Sequence, residues 1–425
     1  MAIRGEPSSP VERLPLMGRA ALVAVVIAAI IVGALAWFAV GPGARAPTGG
    51  CTTAPTSPLE SPPASADPPH VAWTPSELPN DLDDGREQVM LDVAAFGDGF
   101  VAVGRETLRA DVHAFMLRST DGLAWESDPG DHVRFAGADI GSLVAAGNRL
   151  FAVGSAMTDD RGGVRAAVWA SDDGRTWRPA TGPFDEAYAS SLAAKSDGLL
   201  MVGWSARDNQ AMAWSSSDGL AWESQPMDLP VPVAVAQFGE LAAVGDGWIA
   251  VGAISAGADA PAAPVVWRSA DGVSWTCHEL DAGGFSHSHA WELYQSGGRW
   301  LVIGDAADGC GFGASCVGYS IAWASTDGAS WSEGILEPEP IVFGGTAYDG
   351  ADGGFLGVHG GTWLSMDGRE WTRVSDGETS GVIGGQVNAM EVTDDGRVIA
   401  VGTAYDRNSD AGPWISVGEL RIGDE

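Results

Sequence analysis

The hairpin sequence Ser119-Thr120-Asp121-Gly122-Leu123-Ala124-Trp125 is the most informative stretch for predicting the fold, because it recurs five more times along the chain. The recurrences lie at 171–177, 216–222, 269–275, 325–331 and 365–371, and each keeps Ser, Asp, Gly and Trp at the same four positions. An Asp-Gly pair between apolar segments favours a β-hairpin, since Gly tolerates positive φ and the Asp carboxylate accepts hydrogen bonds from nearby backbone N–H groups. The recurrence therefore predicts one structural unit used many times.

A second signature lies upstream of the hairpins, where a continuous apolar run ends in Gly. The endings at Gly104, Gly154, Gly203, Gly252 and Gly304 are 50, 49, 49 and 52 residues apart, and a further run ends at Gly402. Such runs are apolar on both faces, as in a strand packed between two sheets. Units of this length with four short strands are typical of β-propeller blades.

The number of units follows from the two signatures. Six units are complete, while a seventh at the C-terminus ends after Trp414 without a fourth strand. The missing strand matches the segment around Trp73, near the other end of the repeat region. We therefore predict an all-β fold, a seven-bladed β-propeller of four-stranded blades over residues 70–425, closed by an N-terminal strand in the last blade. Closure of this kind removes exposed sheet edges.

The N-terminal region is different in composition. Residues 20–41 read AALVAVVIAAIIVGALAWFAVG, an uncharged stretch long enough to cross a bilayer as one helix. Arginines in residues 1–19 predict a cytoplasmic N-terminus, with the rest of the chain outside the cell. The alternative is a cleaved signal peptide with secretion of the remainder. Residues 42–69 are rich in Pro, Ser and Thr and predict an extended linker.

Composition excludes several classes of protein and draws attention to tryptophan. The 425 residues carry 56 acidic and 23 basic side chains, a formal net charge of -33, which disfavours nucleic acid as a partner. Hydrophobic residues make up 45% of the chain, which is unlike a disordered protein. Thirteen of the 18 Trp belong to the repeats, and of the others only Trp204 and Trp291 lie outside the membrane segment and the apolar runs.

The six hairpins resemble Asp boxes, the repeats of sialidase-like and sortilin-like propellers, although this box is one residue shorter than the usual pattern. The resemblance covers the whole exported domain. It implies that the repeated carboxylates are structural and remote from a functional face; a calcium site is the alternative for them. These carboxylates are Asp121, Asp173, Asp218, Asp271, Asp327 and Asp367. No cofactor is otherwise implied.

The sialidase resemblance also implies an arginine cluster, an acid/base carboxylate and a Tyr activated by Glu. The chain has no Phe-Arg-Ile-Pro motif, and Tyr294 beside Glu292 is the suggestive Tyr. Loop arginines that can contribute are Arg105, Arg109, Arg161, Arg165, Arg207 and Arg407. The alternative reading is that Asp160-Arg161, Arg207-Asp208 and Asp406-Arg407 are solvated ion pairs.

Ligand contacts are expected on the face that carries the loops after the apolar runs and between blades, because these loops vary in length. The candidate ligand-binding residues are Trp204, Trp291, Asp208, Tyr405 and Arg407. His287 and His289 alternate on an extended segment and can hold a metal, but no third ligand is evident.

The four cysteines suit an oxidising compartment. Cys310 and Cys316 share one Gly-rich loop, and we expect them to form a disulfide. Cys51 and Cys277 can pair and pin the linker to the propeller, although connectivity does not follow from sequence.

The sequence thus predicts a membrane-anchored extracytoplasmic propeller, monomeric, that binds a protein or glycan of the cell envelope or surroundings on its loop face. Two alternatives stay open. One is a sialidase-like exo-glycoside hydrolase, and the other is an assembly or stability factor for a membrane complex.

Overall fold

A computed structural model describes residues 50–53, 70–82, 87–108, 111–158, 163–207, 210–232, 236–255, 261–307, 318–332, 335–336, 345–348, 353–358, 361–374, 386–393, 395–405 and 411–421. Within these ranges no helix has the length and apolar character needed to cross a membrane. The span predicted at 20–41 lies outside them.

The described chain is nearly all β-strand, as the repeats predict, and most strands belong to separate four-stranded antiparallel sheets. Two sheets come first, formed by β3 (Glu87–Phe96), β4 (Gly99–Leu108), β5 (Asp111–Ser119) and β6 (Glu126–Ser127), and by β7 (Ala138–Ala146), β8 (Arg149–Met157), β9 (Val164–Ser171) and β10 (Trp177–Pro179). Two others have the same order: β11 (Ala187–Lys195), β12 (Gly198–Ser205), β13 (Ala211–Ser216) and β14 (Glu223–Gln225), then β23 (Gly345–Tyr348), β24 (Gly354–Val358), β25 (Thr362–Ser365) and β26 (Thr372–Arg373).

Two further four-stranded runs are joined into one larger sheet. Their strands are β15 (Ala236–Val244), β16 (Gly247–Ser255), β17 (Ala262–Ser269) and β18 (Trp275–Glu279), and β19 (His287–Ser296), β20 (Arg299–Ala307), β21 (Gly318–Ser325) and β22 (Ile335–Leu336). A single parallel pair, Ala262 with His287, links the two runs. Helical structure in the described ranges is limited to a 3₁₀ turn, Asn80–Leu82, and one short helix, α1 (Asp131–Arg134).

The last sheet joins both ends of the repeat region. It contains β27 (Gln386–Val392), β28 (Arg397–Tyr405) and β29 (Ala411–Arg421), and its fourth strand is β2 (His70–Pro75). Six residue pairs, from His70 with Arg421 to Pro75 with Ser416, connect β2 to β29. An N-terminal strand therefore completes the C-terminal sheet.

Apolar side chains fill the spaces between consecutive sheets. One cluster packs β3–β5 against β7–β9, and clusters of the same kind follow along the chain. The cycle closes where Ile399 and Val401 of β28 pack with Phe100 of β4 and Phe115 of β5. Sheets stacked face to face in a closed cycle form a β-propeller. Because both faces of each sheet are covered, the second strands are apolar in their central part, as at 100–103 of β4 and 248–251 of β16.

Each Ser-x-Asp-Gly-x-x-Trp hairpin is held by the residues that define it. In the copy at Asp218, the carboxylate accepts hydrogen bonds from the N–H groups of Leu220 (2.8 Å) and Ala221 (3.0 Å). The Ser216 hydroxyl accepts from the Gly219 N–H (2.8 Å), and the Trp222 indole donates to the Gly219 carbonyl (3.1 Å). Asp121, Asp271 and Asp327 make the same pair of backbone contacts. These bonds lower the pKa of Asp218 and give the motif a local structural role.

The described part of the predicted linker packs on the fourth-strand edge of β18. Cys51 forms a disulfide with Cys277, 226 residues later, and β1 (Thr52–Thr53) runs parallel to β18. Thr52 Oγ1 lies 2.8 Å from His278 Nδ1. The structure therefore contains the Cys51–Cys277 pairing that the sequence leaves open. Cys310 and Cys316 lie outside the described residues.

Candidate functional site at the inner strands

The first strands of the sheets contact one another and carry a repeated β-bulge. Strands β3, β7, β11, β15, β19, β23 and β27 make these contacts with neighbouring members of the set. The pairing with the second strand is shifted beside Leu91, Gly141, Ser190, Gly239, Trp291 and Asn388. A bulge residue is displaced from the ladder, so its side chain is aimed differently from its neighbours. These six residues form what we call the bulge column.

The residue after three of the bulges, and Glu391 three residues after the bulge at Asn388, connect neighbouring sheets. Asp92 Oδ2 accepts a hydrogen bond from the Leu143 N–H (2.7 Å) of the next sheet. Ser191 Oγ accepts from the Leu241 N–H (3.1 Å), and Glu240 Oε2 accepts from the Leu293 N–H (2.7 Å) in the same manner. Glu391 Oε1 of the last sheet accepts from the Ala95 N–H (3.2 Å) of the first. These polar side chains therefore hold first strands together around the cycle.

Burial changes the acidity of the carboxylates in this region. It raises the pKa of Asp92 to about 6, of Glu391 to about 7 and of Glu240 to about 8. The charges of Glu292 and Asp92 contribute further to the rise at Glu240, whereas the hydrogen bond from Leu293 opposes it. The inner strands thus gather carboxylates that stay protonated at higher pH than usual.

Tyr294 and Glu292, predicted as a possible catalytic pair, are in direct contact. The Tyr294 hydroxyl donates a hydrogen bond to Glu292 Oε2 at 2.8 Å. Burial raises the pKa of Glu292, and the bond from Tyr294 opposes this shift. A carboxylate that accepts the phenol proton is the arrangement that activates a Tyr nucleophile.

Two aromatic stacks lie at equivalent positions, two residues before the bulge. In the first, Tyr188 of β11 stacks on its cross-strand partner Trp204 of β12, with ring centroids 4.3 Å apart and planes inclined by 17°. In the second, His289 of β19 stacks on Trp291, with centroids 4.9 Å apart and an angle of 16°. Both Trp side chains are half-buried. Each stack is therefore a fixed and partly exposed aromatic pair near the end of the sheets that carries the loops after the second strands.

Asp305, the cross-strand partner of His289, fixes the second stack. The Trp291 indole N–H donates to Asp305 Oδ1, and His289 Nδ1 lies 3.4 Å from Asp305 Oδ2. The Asp305 side chain remains 45% exposed. One carboxylate thus orients both rings and still reaches solvent.

In the bulge column, the sheets before Trp291 have small residues at the equivalent position. The three sheets before it have Gly141, Ser190 and Gly239 at this position. A Cβ added at Gly141 would meet nothing within 4 Å, and one at Gly239 would lie 3.0 Å from the Trp291 carbonyl oxygen. The indole of Trp291 is therefore the large side chain in a run of small ones.

Three of the six predicted loop arginines, Arg105, Arg165 and Arg207, lie within the described residues. Arg105 is 4% exposed and pairs with Asp139 of the next sheet at 3.3 Å. Arg207 pairs with Glu186. Arg165 lies in β9, on the second sheet. Arg109, Arg161, Asp208 and Arg407 lie outside the described residues, and Tyr405 is described only in its backbone, opposite Ala411.

The two histidines have separate partners. His289 faces Asp305 as described, while His287 Nδ1 lies 3.1 Å from the Ser286 hydroxyl. Within the described ranges, no three His, Cys, Asp or Glu side chains are grouped as a metal site requires.

Sequence reasoning missed the inter-sheet carboxylates, although a signal was present. Asp92, Glu240 and Glu292 each lie twelve residues before the Gly that ends an apolar run, at Gly104, Gly252 and Gly304. Ser142 and Ser191 have the same spacing. A polar residue repeated at one register of an inner strand indicates a shared contact, and aligning the units on the Gly would have exposed it.

Comparison with known proteins assigns no family. No family model matches the sequence, and no curated protein matches it. A solved protein of unknown function from Dyadobacter fermentans is 12% identical, with a TM-score of 0.46, over 84% of this chain and 99% of that one. The β-propeller domain of the Trilobed protease from Pyrococcus furiosus, described as having an open velcro topology, is 11% identical, with a TM-score of 0.44, over 80% and 96%. The GH43_1 enzyme from Xanthomonas citri complexed with xylose is 10% identical, with a TM-score of 0.36, over 58% and 90%.

Proposed function

We propose that this protein is a binding module, a membrane-tethered extracytoplasmic propeller that takes a glycan at the loop end of its inner strands. The observation that carries the proposal is the pair of ordered aromatic stacks, Tyr188 with Trp204 and His289 with Trp291. Flat aromatic faces that are fixed before binding lose little conformational entropy when a ligand stacks on them. A protein ligand is the alternative occupant of the same face.

The proposal includes the finer architecture. The four-stranded units are seven blades, and the hairpins are shortened Asp boxes of the sialidase-like type. The span at 20–41 anchors the chain in the cell membrane, with 1–19 in the cytoplasm, and the propeller works as a monomer without a cofactor. The Cys51–Cys277 disulfide supports an oxidising compartment.

Glycan binding can be tested with the full-length chain on an array of bacterial cell-envelope and extracellular glycans, followed by titration calorimetry of the hits. Trp204→Ala should weaken a hit at least about tenfold, since stacking on an indole contributes at this level. Leu123→Ala is the matched control, because Leu123 is an exposed apolar side chain in the first Asp-Gly hairpin. Equal glycan affinity of both variants would show that the aromatic stacks do not contribute to glycan binding.

A second candidate, a sialidase-like hydrolase, is favoured by the contact between Tyr294 and Glu292. A fluorogenic sialoside assay of wild type, Tyr294→Phe and Glu292→Gln separates it from binding alone. We expect no turnover above the rate without protein. Turnover that disappears in both variants would establish the hydrolase and overturn the binding module.

A further inference from the structure

The surroundings of Trp291 are acidic. Its indole N–H donates to Asp305, whose carboxylate is 45% exposed. Glu292 follows Trp291 directly, and Glu240 of the preceding sheet accepts the N–H of Leu293, one residue further. Burial keeps Glu240 protonated below a pKa of about 8 and raises the pKa of Glu292, so the exposed Asp305 is the carboxylate that a ligand stacked on Trp291 meets.

Among the described residues, His289 is the basic side chain paired with Asp305, at 3.4 Å, and it carries a charge only when protonated. Of the described arginines on the predicted loop segments, Arg105 is already paired with Asp139 and Arg207 with Glu186. The chain as a whole has a formal net charge of -33. An anionic ligand would be repelled from such a site, and a neutral one can offer Asp305 only uncharged hydrogen-bond donors, which bind a carboxylate less strongly than a charged donor does.

A protonated amine can interact with both the Asp305 carboxylate and the Trp291 ring. It forms a charge-assisted hydrogen bond with an exposed carboxylate, and it is attracted to the face of a neighbouring indole. The Asp305 carboxylate is held at the edge of the Trp291 ring, so both interactions are available to one ligand. We propose that Trp291 and Asp305 select saccharides that carry a free amine, such as a glucosamine oligomer, over acetylated or anionic ones. This inference rests on the glycan-binding function proposed above.

The test compares four probes by titration calorimetry with the full-length chain at about pH 6, where the amines are protonated. The probes are a glucosamine tetramer, its fully N-acetylated counterpart, a sialyl oligosaccharide and a tetralysine peptide. We expect the glucosamine tetramer to bind about tenfold more tightly than the acetylated one, the size of one favourable charged contact. Sialyl oligosaccharide should bind most weakly.

Variants separate a specific site from attraction to an acidic protein. Asp305→Asn should reduce the preference for the free amine to near unity, and Trp291→Ala should weaken both tetramers. Asp98→Asn is the matched control, since it removes the same charge from an exposed position in the turn after β3 and should leave all affinities unchanged. Thermal unfolding of each variant checks that the fold is retained.

Four outcomes overturn the inference. Equal affinity for the free and acetylated tetramers removes amine selectivity but leaves glycan binding intact. If Asp305→Asn weakens both tetramers equally, the carboxylate only positions Trp291. If tetralysine binds as tightly and responds to Asp305→Asn in the same way, a basic peptide is the occupant. If no saccharide on the array or in solution binds, the proposed function itself fails.

Discussion

Substitution of Gly219 tests whether the Asp-Gly hairpins act as packing elements between sheets. Gly219 has φ +70°, and a Cβ added there would lie 2.1 Å from Cε1 and 2.5 Å from Cζ of Phe151, a buried ring of the preceding sheet. Gly147 is the matched control. It also has positive φ (+60°), but a Cβ at that position would meet nothing within 4 Å.

Both alanine variants should lose stability through backbone strain, and Gly219→Ala should lose more through steric overlap in the core. Forcing an L-residue into the left-handed region costs about 1–2 kcal/mol, which applies to both Gly147→Ala and Gly219→Ala. Pushing a methyl group into a packed core adds about 1–3 kcal/mol, which applies to Gly219→Ala alone. We therefore expect losses of about 1–2 kcal/mol for Gly147→Ala and about 2–5 kcal/mol for Gly219→Ala.

Urea unfolding followed by tryptophan fluorescence measures both losses. A double variant, Gly219→Ala with Phe151→Leu, provides an internal check, because a ring replaced by a smaller side chain should recover part of the added cost. Equal destabilisation by the two single variants, or no recovery in the double variant, would show that the hairpin does not pack against the neighbouring sheet as described.

Three other predictions concern the disulfide, the carboxylates and the repeated Asp. Cys51→Ser releases a cross-link spanning 226 residues and should lower the free energy of unfolding by about 5 kcal/mol in the chain-entropy account, with Cys277→Ser giving the same loss under non-reducing conditions. Burial raises the pKa of Glu240 from 4.5 to about 8 in the folded state, so the folded protein holds a proton that the unfolded chain loses, and the free energy of unfolding should fall as pH rises from about 4.5 to 8. Glu240→Gln should flatten this pH dependence, and an unchanged slope of unfolding free energy against pH would contradict the assignment. Asp218→Ala removes the acceptor of two backbone N–H groups and should cost about 0.5–2 kcal/mol in urea unfolding, with Asp98→Ala, in the turn after β3, near zero.

Most of the architecture is accessible from sequence because it is repeated locally. Hydrogen bonds link Ser216 to Asp218, Ser216 to Gly219 and Gly219 to Trp222 within seven residues, so the hairpin is specified by its own side chains and backbone. The role of Trp73 is also predictable. The seventh unit lacks a fourth strand, and the segment around Trp73 is the unassigned strand at the other end of the repeat region. In the structure β2 pairs with β29.

The candidate site is less accessible because its contacts join residues far apart in the chain. Trp204 and Trp291 stand out as tryptophans outside the repeat positions, but their partners Tyr188 and Asp305 follow from strand register. A bulge shifts that register by one residue, and composition does not locate it. Tyr294 and Glu292 stand out in the sequence as neighbours on a predicted inner strand, and the structure shows the hydrogen bond between them.

Short-range hydrogen bonding and apolar periodicity are enough to predict the all-β repeat and the hairpin chemistry, and counting the repeated strands predicts the strand that completes the last sheet. Tertiary structure alone decided that Cys51 pairs with Cys277, that Asp92 and Glu240 bridge neighbouring sheets, and that Asp305 orients Trp291. These contacts depend on which sheet edges meet when the cycle closes. The pattern of residues along the sequence does not give the distances between residues of different sheets.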